Sequence, residues 1–163
     1  FLLTSRRTAD DVAEQVERCG TTTVQLCDGL APGEHRRLRR ALPRTRLVQV
    51  VHVTGEEALE EAREAQELVD ALLLDSGDPR LAVKELGGTG RVHDWRTSAR
   101  IVRASRIPVW LAGGLRATNV AEAIRLVRPH GVDICSGVRR AGRLDDAALA
   151  AFCEAVRSAS GNG

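Results

Sequence analysis

Val69-Asp70-Ala71-Leu72-Leu73-Leu74-Asp75-Ser76 is a short apolar run that stops abruptly on a carboxylate and a hydroxyl. Such a run is too short for a core helix and suits a strand covered on both faces. The same pattern recurs in both directions. Phe1–Ser5, Thr22–Cys27 and Arg46–Val53 precede it, and Pro108–Leu111 and Val132–Cys135 follow. Between the runs, helices are expected over Ala9–Cys19, Gly33–Leu42, Glu56–Leu68, Thr97–Ser105, Thr118–Val127 and Asp145–Ser158. Gly20 stands just past the first of these, as a helix end prefers, and Pro43 stops the second.

Alternating strands and helices predict an α/β fold with a parallel sheet. Such a sheet can stay open and doubly wound, or close into a (β/α)8 TIM barrel. No strand is followed by the glycine fingerprint of a dinucleotide-binding open sheet. Polar residues and glycines gather instead at the C-terminal ends of several strands, where barrels build their sites. An eight-unit barrel typically needs about 200 residues or more. This chain has 163, contains no Met and opens inside the apolar run Phe1-Leu2-Leu3. The expectation is therefore one barrel domain over residues 1–159 that lacks the first two βα units. Residues 160–163 are expected to form a disordered tail.

Composition narrows the partners. Hydrophobic residues make up 43% of the chain, so it can bury a core. Twenty-four basic and 22 acidic residues leave a net charge of +2, which gives no reason to expect nucleic acid. The basic run from His35 to Arg40 lacks interleaved aromatics and reads as a solvated helix face. No apolar stretch approaches the length needed to cross a membrane. Cys19, Cys27, Cys135 and Cys153 are far apart and lack metal-ligand spacing. The expected setting is a reducing cytoplasm, with no bound metal.

Three glycine-bearing loops follow successive strands in the second half. They are Gly87-Gly88-Thr89-Gly90, Ala112-Gly113-Gly114 and Ser136-Gly137. Glycine lets backbone N–H groups approach an anion closely, and barrels often hold a phosphate at their last two strands. Gly88, Thr89, Gly90, Gly113, Gly114, Ser136 and Gly137 are accordingly candidate phosphate ligands. Asp75, at the end of an apolar strand, is either a general acid with a raised pKa or a structural acceptor. Asp133 is expected within the last strand, where its carboxylate needs a structural partner or the substrate. His52 and His93 carry side chains that can titrate near neutrality, and hydrogen bonding is their commoner use. Trp95 and Trp110 read as packing residues, and His35 and His130 as surface residues.

In combination these motifs resemble the phosphoribosylanthranilate isomerases. The resemblance runs from Thr23 to Val156. It rests on Val24-Gln25-Leu26, Val51-His52-Val53, the run from Val69 to Ser76, Gly87-Gly88-Thr89-Gly90 and Asp94-Trp95. Leu111-Ala112-Gly113-Gly114-Leu115, the run from Asn119 to Ile124, Gly131-Val132-Asp133 and Ser136-Gly137-Val138 complete it. It implies a cofactor-free barrel that performs an Amadori rearrangement on a small phosphorylated substrate, N-(5-phosphoribosyl)anthranilate. It also implies that Asp75 is the general acid and that the glycine loops hold the phosphate. The family's base is a Cys in a Lys-Ile-Cys-Gly motif on its first strand, and that motif has no counterpart here. The Arg after the second strand, which takes the anthranilate carboxylate in the family, is also without a counterpart. Phe1–Ser5 corresponds best to the third strand of the family.

Other departures are Cys27 where the family commonly has His, His93 for Phe, and Arg139 for Glu. Cys27 is a conceivable surrogate base. Two alternatives stand beside the resemblance. One is an isomerase of a related aminoaldose phosphate from the histidine pathway. The other is a degenerate barrel that binds a phosphorylated molecule without catalysis. A monomer or a homodimer is expected, the dimer more so if the barrel is incomplete.

Overall fold

Helix α1 (Ala9–Cys19) shows how local sequence sets the elements. Thr8 caps its start by accepting from the Asp11 N–H at 3.3 Å, and Asp10 and Asp11 favour the positive end of the helix dipole. Gly20 ends it in the left-handed region at φ 60°. Ala9, Val12 and Val16 form its buried stripe.

The computed structural model describes residues 1–77 and 94–160. Its strands are β1 (Leu2–Thr4), β2 (Thr23–Leu26), β3 (Arg46–His52), β4 (Ala71–Asp75), β5 (Val109–Leu111) and β6 (Gly131–Val132). Helices α1, α2 (Glu34–Ala41), α3 (Glu57–Ala65), α4 (Trp95–Ala104), α5 (Val120–Val127) and α6 (Asp146–Ser160) alternate with them. A single 3-10 turn, Ser136–Val138, follows β6 and leads into a hairpin of β7 (Arg139–Arg140) and β8 (Arg143–Leu144).

All neighbours in the main sheet pair in parallel, and their order is β1-β2-β3-β4-β5-β6. This strictly sequential order separates the two expected closures. A doubly wound sheet reverses its strand order at a switch point, whereas a barrel adds each strand beside the last. The six-stranded sheet is therefore barrel-like.

Two faces follow from the alternation of side chains along each strand. Leu26, Leu47, Leu72, Leu74 and Leu111 face outward and are fully buried under the helices. Val48, Val50, Ala71, Leu73 and Ala112 face inward, with Cys27 and Trp110 beside them. Trp110 lies over Gly131, where an added Cβ would sit 2.5 Å from the indole. The inner layer thins toward β1, whose Leu3 is 61% exposed.

The ends of the chain differ in detail from the sequence expectation. β6 stops at Val132, so Asp133 lies just beyond the strand, its N–H donating to the Leu111 carbonyl at 2.9 Å. The residue as a whole is exposed, so its carboxylate is not sealed within the sheet as a place inside the strand would have required. Ser160 belongs to α6, while residues 161–163 lie outside the described residues. His35 is half-buried, its Nε2 3.1 Å from Gln49 Oε1 on β3. In the basic run, Arg37 pairs with Asp10 at 3.0 Å and Arg39 with Asp70 at 2.7 Å, as suits a solvated helix face. No helix among the described residues is long and apolar enough to cross a membrane.

Candidate active site

The C-terminal ends of the strands form one mouth. Asp75 closes β4, and alternation from Ala71 and Leu73 places its side chain on the inner face. It is 7% exposed. The Ser76 N–H donates to Asp75 Oδ1 at 2.6 Å. Burial pushes the carboxyl above the usual carboxylate range, and the Ser76 N–H and the charge on His52 pull it part of the way back. A carboxyl held up in this way keeps its proton longer and can act as an acid.

The loop after β5 folds onto this point. Gly113 and Gly114 have φ values of 80° and 64°. A Cβ on Gly113 would lie 2.6 Å from the Ser76 backbone nitrogen. Glycine is needed there both for the left-handed backbone and for the close approach. The Asn119 side chain braces the loop, donating to the Gly114 carbonyl at 3.1 Å and accepting from the Arg116 N–H at 2.8 Å. The turn after β6 packs on the loop in the same manner, since a Cβ on Gly137 would overlap the Leu115 carbonyl.

These contacts enclose a small cavity of about 30 Å³. Asp75, Gly113, Gly114, Asp133 and Ser136 line it. The structure thus brings five of the sequence candidates together, with Gly137 packed immediately behind. The protein around Asp133 and the nearby charge of Asp75 push the Asp133 carboxyl up. Gly88, Thr89 and Gly90 lie outside the described residues, as does His93.

Cys27 also faces inward, one residue beyond β2. It is buried, and Gln25 Nε2 lies 3.8 Å from its Sγ. Burial pushes the thiol up, and Asp75 and Asp133 add to the shift. It therefore stays a neutral thiol at neutral pH, a poor starting point for a proton acceptor. His52 ends β3 beside Asp75, and its Nε2 lies 3.3 Å from the Cys27 carbonyl oxygen.

Sequence reasoning did not place His52 against Asp75. The sequence signal was period-two alternation counted back from the strand ends, which puts both residues on one face. The 3-10 turn and the hairpin after β6 were also unforeseen. The positive φ values of Ala141 and Gly142 build that two-residue turn, and Ala141-Gly142 is a weak turn signal.

The chain has relatives among known proteins. N-(5'-phosphoribosyl)anthranilate isomerase of Methanocella arvoryzae is 39% identical over 151 residues, 92% of this chain and 68% of the relative. The Haloferax volcanii protein of the same name is 37% identical, covering 98% of this chain and 69% of its own length. The phosphoribosyl anthranilate isomerase structure from Thermococcus kodakaraensis superposes with a TM-score of 0.77 at 35% identity, covering all of this chain and 74% of that one. The chain thus spans about two thirds of the length of these curated relatives. The model of the family described as N-(5'phosphoribosyl)anthranilate (PRA) isomerase matches residues 5–155, and the chain belongs to that family.

Proposed function

We propose that this protein is the tryptophan-pathway isomerase, converting N-(5-phosphoribosyl)anthranilate to 1-(2-carboxyphenylamino)-1-deoxyribulose 5-phosphate. The observation that carries this reading is the desolvated Asp75 carboxyl against the Gly113–Gly114 loop in one small cavity. Asp75 gives its proton to the ribose ring oxygen. The C1′–O bond breaks, its electron pair stays on oxygen, and the nitrogen lone pair forms the iminium. Removal of the C2′ proton then returns the electrons to nitrogen as an enolamine. The enolamine tautomerises to the ketone, so no external oxidant or reductant is required. Backbone N–H groups of the loops at Gly113, Gly114, Ser136 and Gly137 suit the phosphate, with Gly88, Thr89 and Gly90 assigned the same role by their sequence motif.

No residue among those described is assigned the role of the base. Cys27 has the right position and the wrong protonation state. On our reading the six strands are the third to eighth of a barrel, and residues 1–159 form part of that domain. The base then sits on a preceding βα unit. Two features support this: the greater length of the relatives, and the exposure of Phe1 and Leu3 at the β1 edge. Further polypeptide, from the same chain or a second copy, would cover that edge. We place the activity in the cytoplasm because four free cysteines suit a reducing compartment.

The test is turnover by the purified full-length protein, offered N-(5-phosphoribosyl)anthranilate and, separately, the aminoaldose phosphate of histidine synthesis. Conversion of the first alone is expected. Conversion of the second alone would replace this reading, and conversion of neither would leave a binding protein.

A further inference from the structure

His52 is a buried ionisable group that the proposed reaction leaves unused. It is 7% exposed. It follows Val48 and Val50 onto the inner face, and the β3–β4 register sets it directly beside Asp75. A carbonyl oxygen only accepts, so the ring nitrogen 3.3 Å from the Cys27 carbonyl, Nε2, carries a hydrogen. That bond aims the ring. The other nitrogen, Nδ1, is buried without a hydrogen-bond partner among the described residues. A buried polar atom with no partner costs free energy and calls for a reason.

We propose that His52 is a positioning residue for the acid, holding its ring against the Asp75 carboxyl to stabilise the carboxylate left when the proton passes to the substrate's ring oxygen. This rests on the isomerase reading. Proton transfer creates a negative charge in a site that resists one. The Asp133 carboxyl beyond β6 and the Cys27 thiol beyond β2 are both acidic groups coupled to Asp75, and neither can compensate it. Glu61 on α3, near Glu57, is another acid and also feels the charge on His52. Among the described residues, His52 supplies the positive charge that acts on Asp75. The imidazole therefore helps the products of the transfer more than its reactants, as transition-state stabilisation requires.

The test compares the full-length protein with His52→Gln and His52→Asn. Thermal unfolding verifies that each variant folds. We expect kcat to fall about tenfold or more. The alkaline limb of the pH profile, where the acid loses its proton, should move to higher pH because a favourable charge on the carboxylate has gone. An unchanged kcat, or a lower kcat with the limb in place, would overturn the proposal. The second result is what a merely structural role would give. Carbon-13 NMR of the Asp75 carboxyl reads the same shift without turnover, so it separates this proposal from the isomerase reading. In the unmodified protein the His52 imidazole signals should also shift when the Asp75 carboxyl loses its proton. His52 signals indifferent to that proton would contradict the proposal even if both variants failed to fold.

Discussion

The two faces of the sheet carry different loads. The outer face is a mainly apolar layer of leucines and valines packed on the helices, interrupted by the buried Gln49, with Leu26, Leu47, Leu72, Leu74 and Leu111 fully buried. The inner face holds only a small cluster, crowned by Asp75 and His52 and open toward Leu3 at β1. The outer face resembles a complete core. The inner face resembles a site whose walls are ionisable groups and glycines. Stability is concentrated outside and chemistry inside, so substitutions on the two faces should fail in different ways.

The sharpest contrast is Leu72→Ala against Leu3→Ser. Leu72 is fully buried, and its truncation should cost about 2–5 kcal/mol in denaturant unfolding. Gly113→Ala comes next. It forces a side chain into the left-handed region and against Ser76, so a loss of about 1–3 kcal/mol is expected. Because that loop lines the cavity, KM for the phosphorylated substrate should rise as well. Thr8→Ala removes the α1 cap and should cost about 1 kcal/mol with kcat unchanged. In the 163-residue chain Leu3→Ser, on the exposed inner edge, should change stability by less than about 0.5 kcal/mol, whereas a covered edge in the full-length protein should make it costlier. If Leu3→Ser in the full-length protein costs as much as Leu72→Ala, further polypeptide completes the inner core there.

Much of this division is written in the sequence, though not the assignment of faces. The Ala9–Cys19 helix could be read at both ends because Thr8 and Gly20 act through local geometry alone. Ala71–Asp75 was equally plain, as a run of apolar residues cut off by a carboxylate. The same apolar continuity hides which residue faces where, since a strand buried on both sides has no polar face to mark it. The pairing of His52 with Asp75 depends on the β3–β4 register, which is a tertiary property. β6 proved shorter than its expected run, ending at Val132, and Asp133 just beyond it lines the cavity. Cys27 illustrates a different limit. Its place at a strand end was visible, but the burial that keeps it a thiol was not.

The inner face also predicts a pH signature. Burial holds Asp75 protonated to higher pH in the folded chain than in the unfolded one. The folded state then binds more protons, so stability falls as pH rises from the ordinary carboxylate range through the raised value. Asp75→Asn removes that slope. The most direct test of the account is therefore Asp75→Asn in the full-length protein, with turnover and denaturant unfolding measured on one sample at neutral pH. The account predicts turnover lost by at least about a hundredfold, with stability equal to or above that of the parent. Retained turnover, or a loss of turnover accompanied by a loss of stability, would contradict the assignment of chemistry to the inner face and of stability to the outer one.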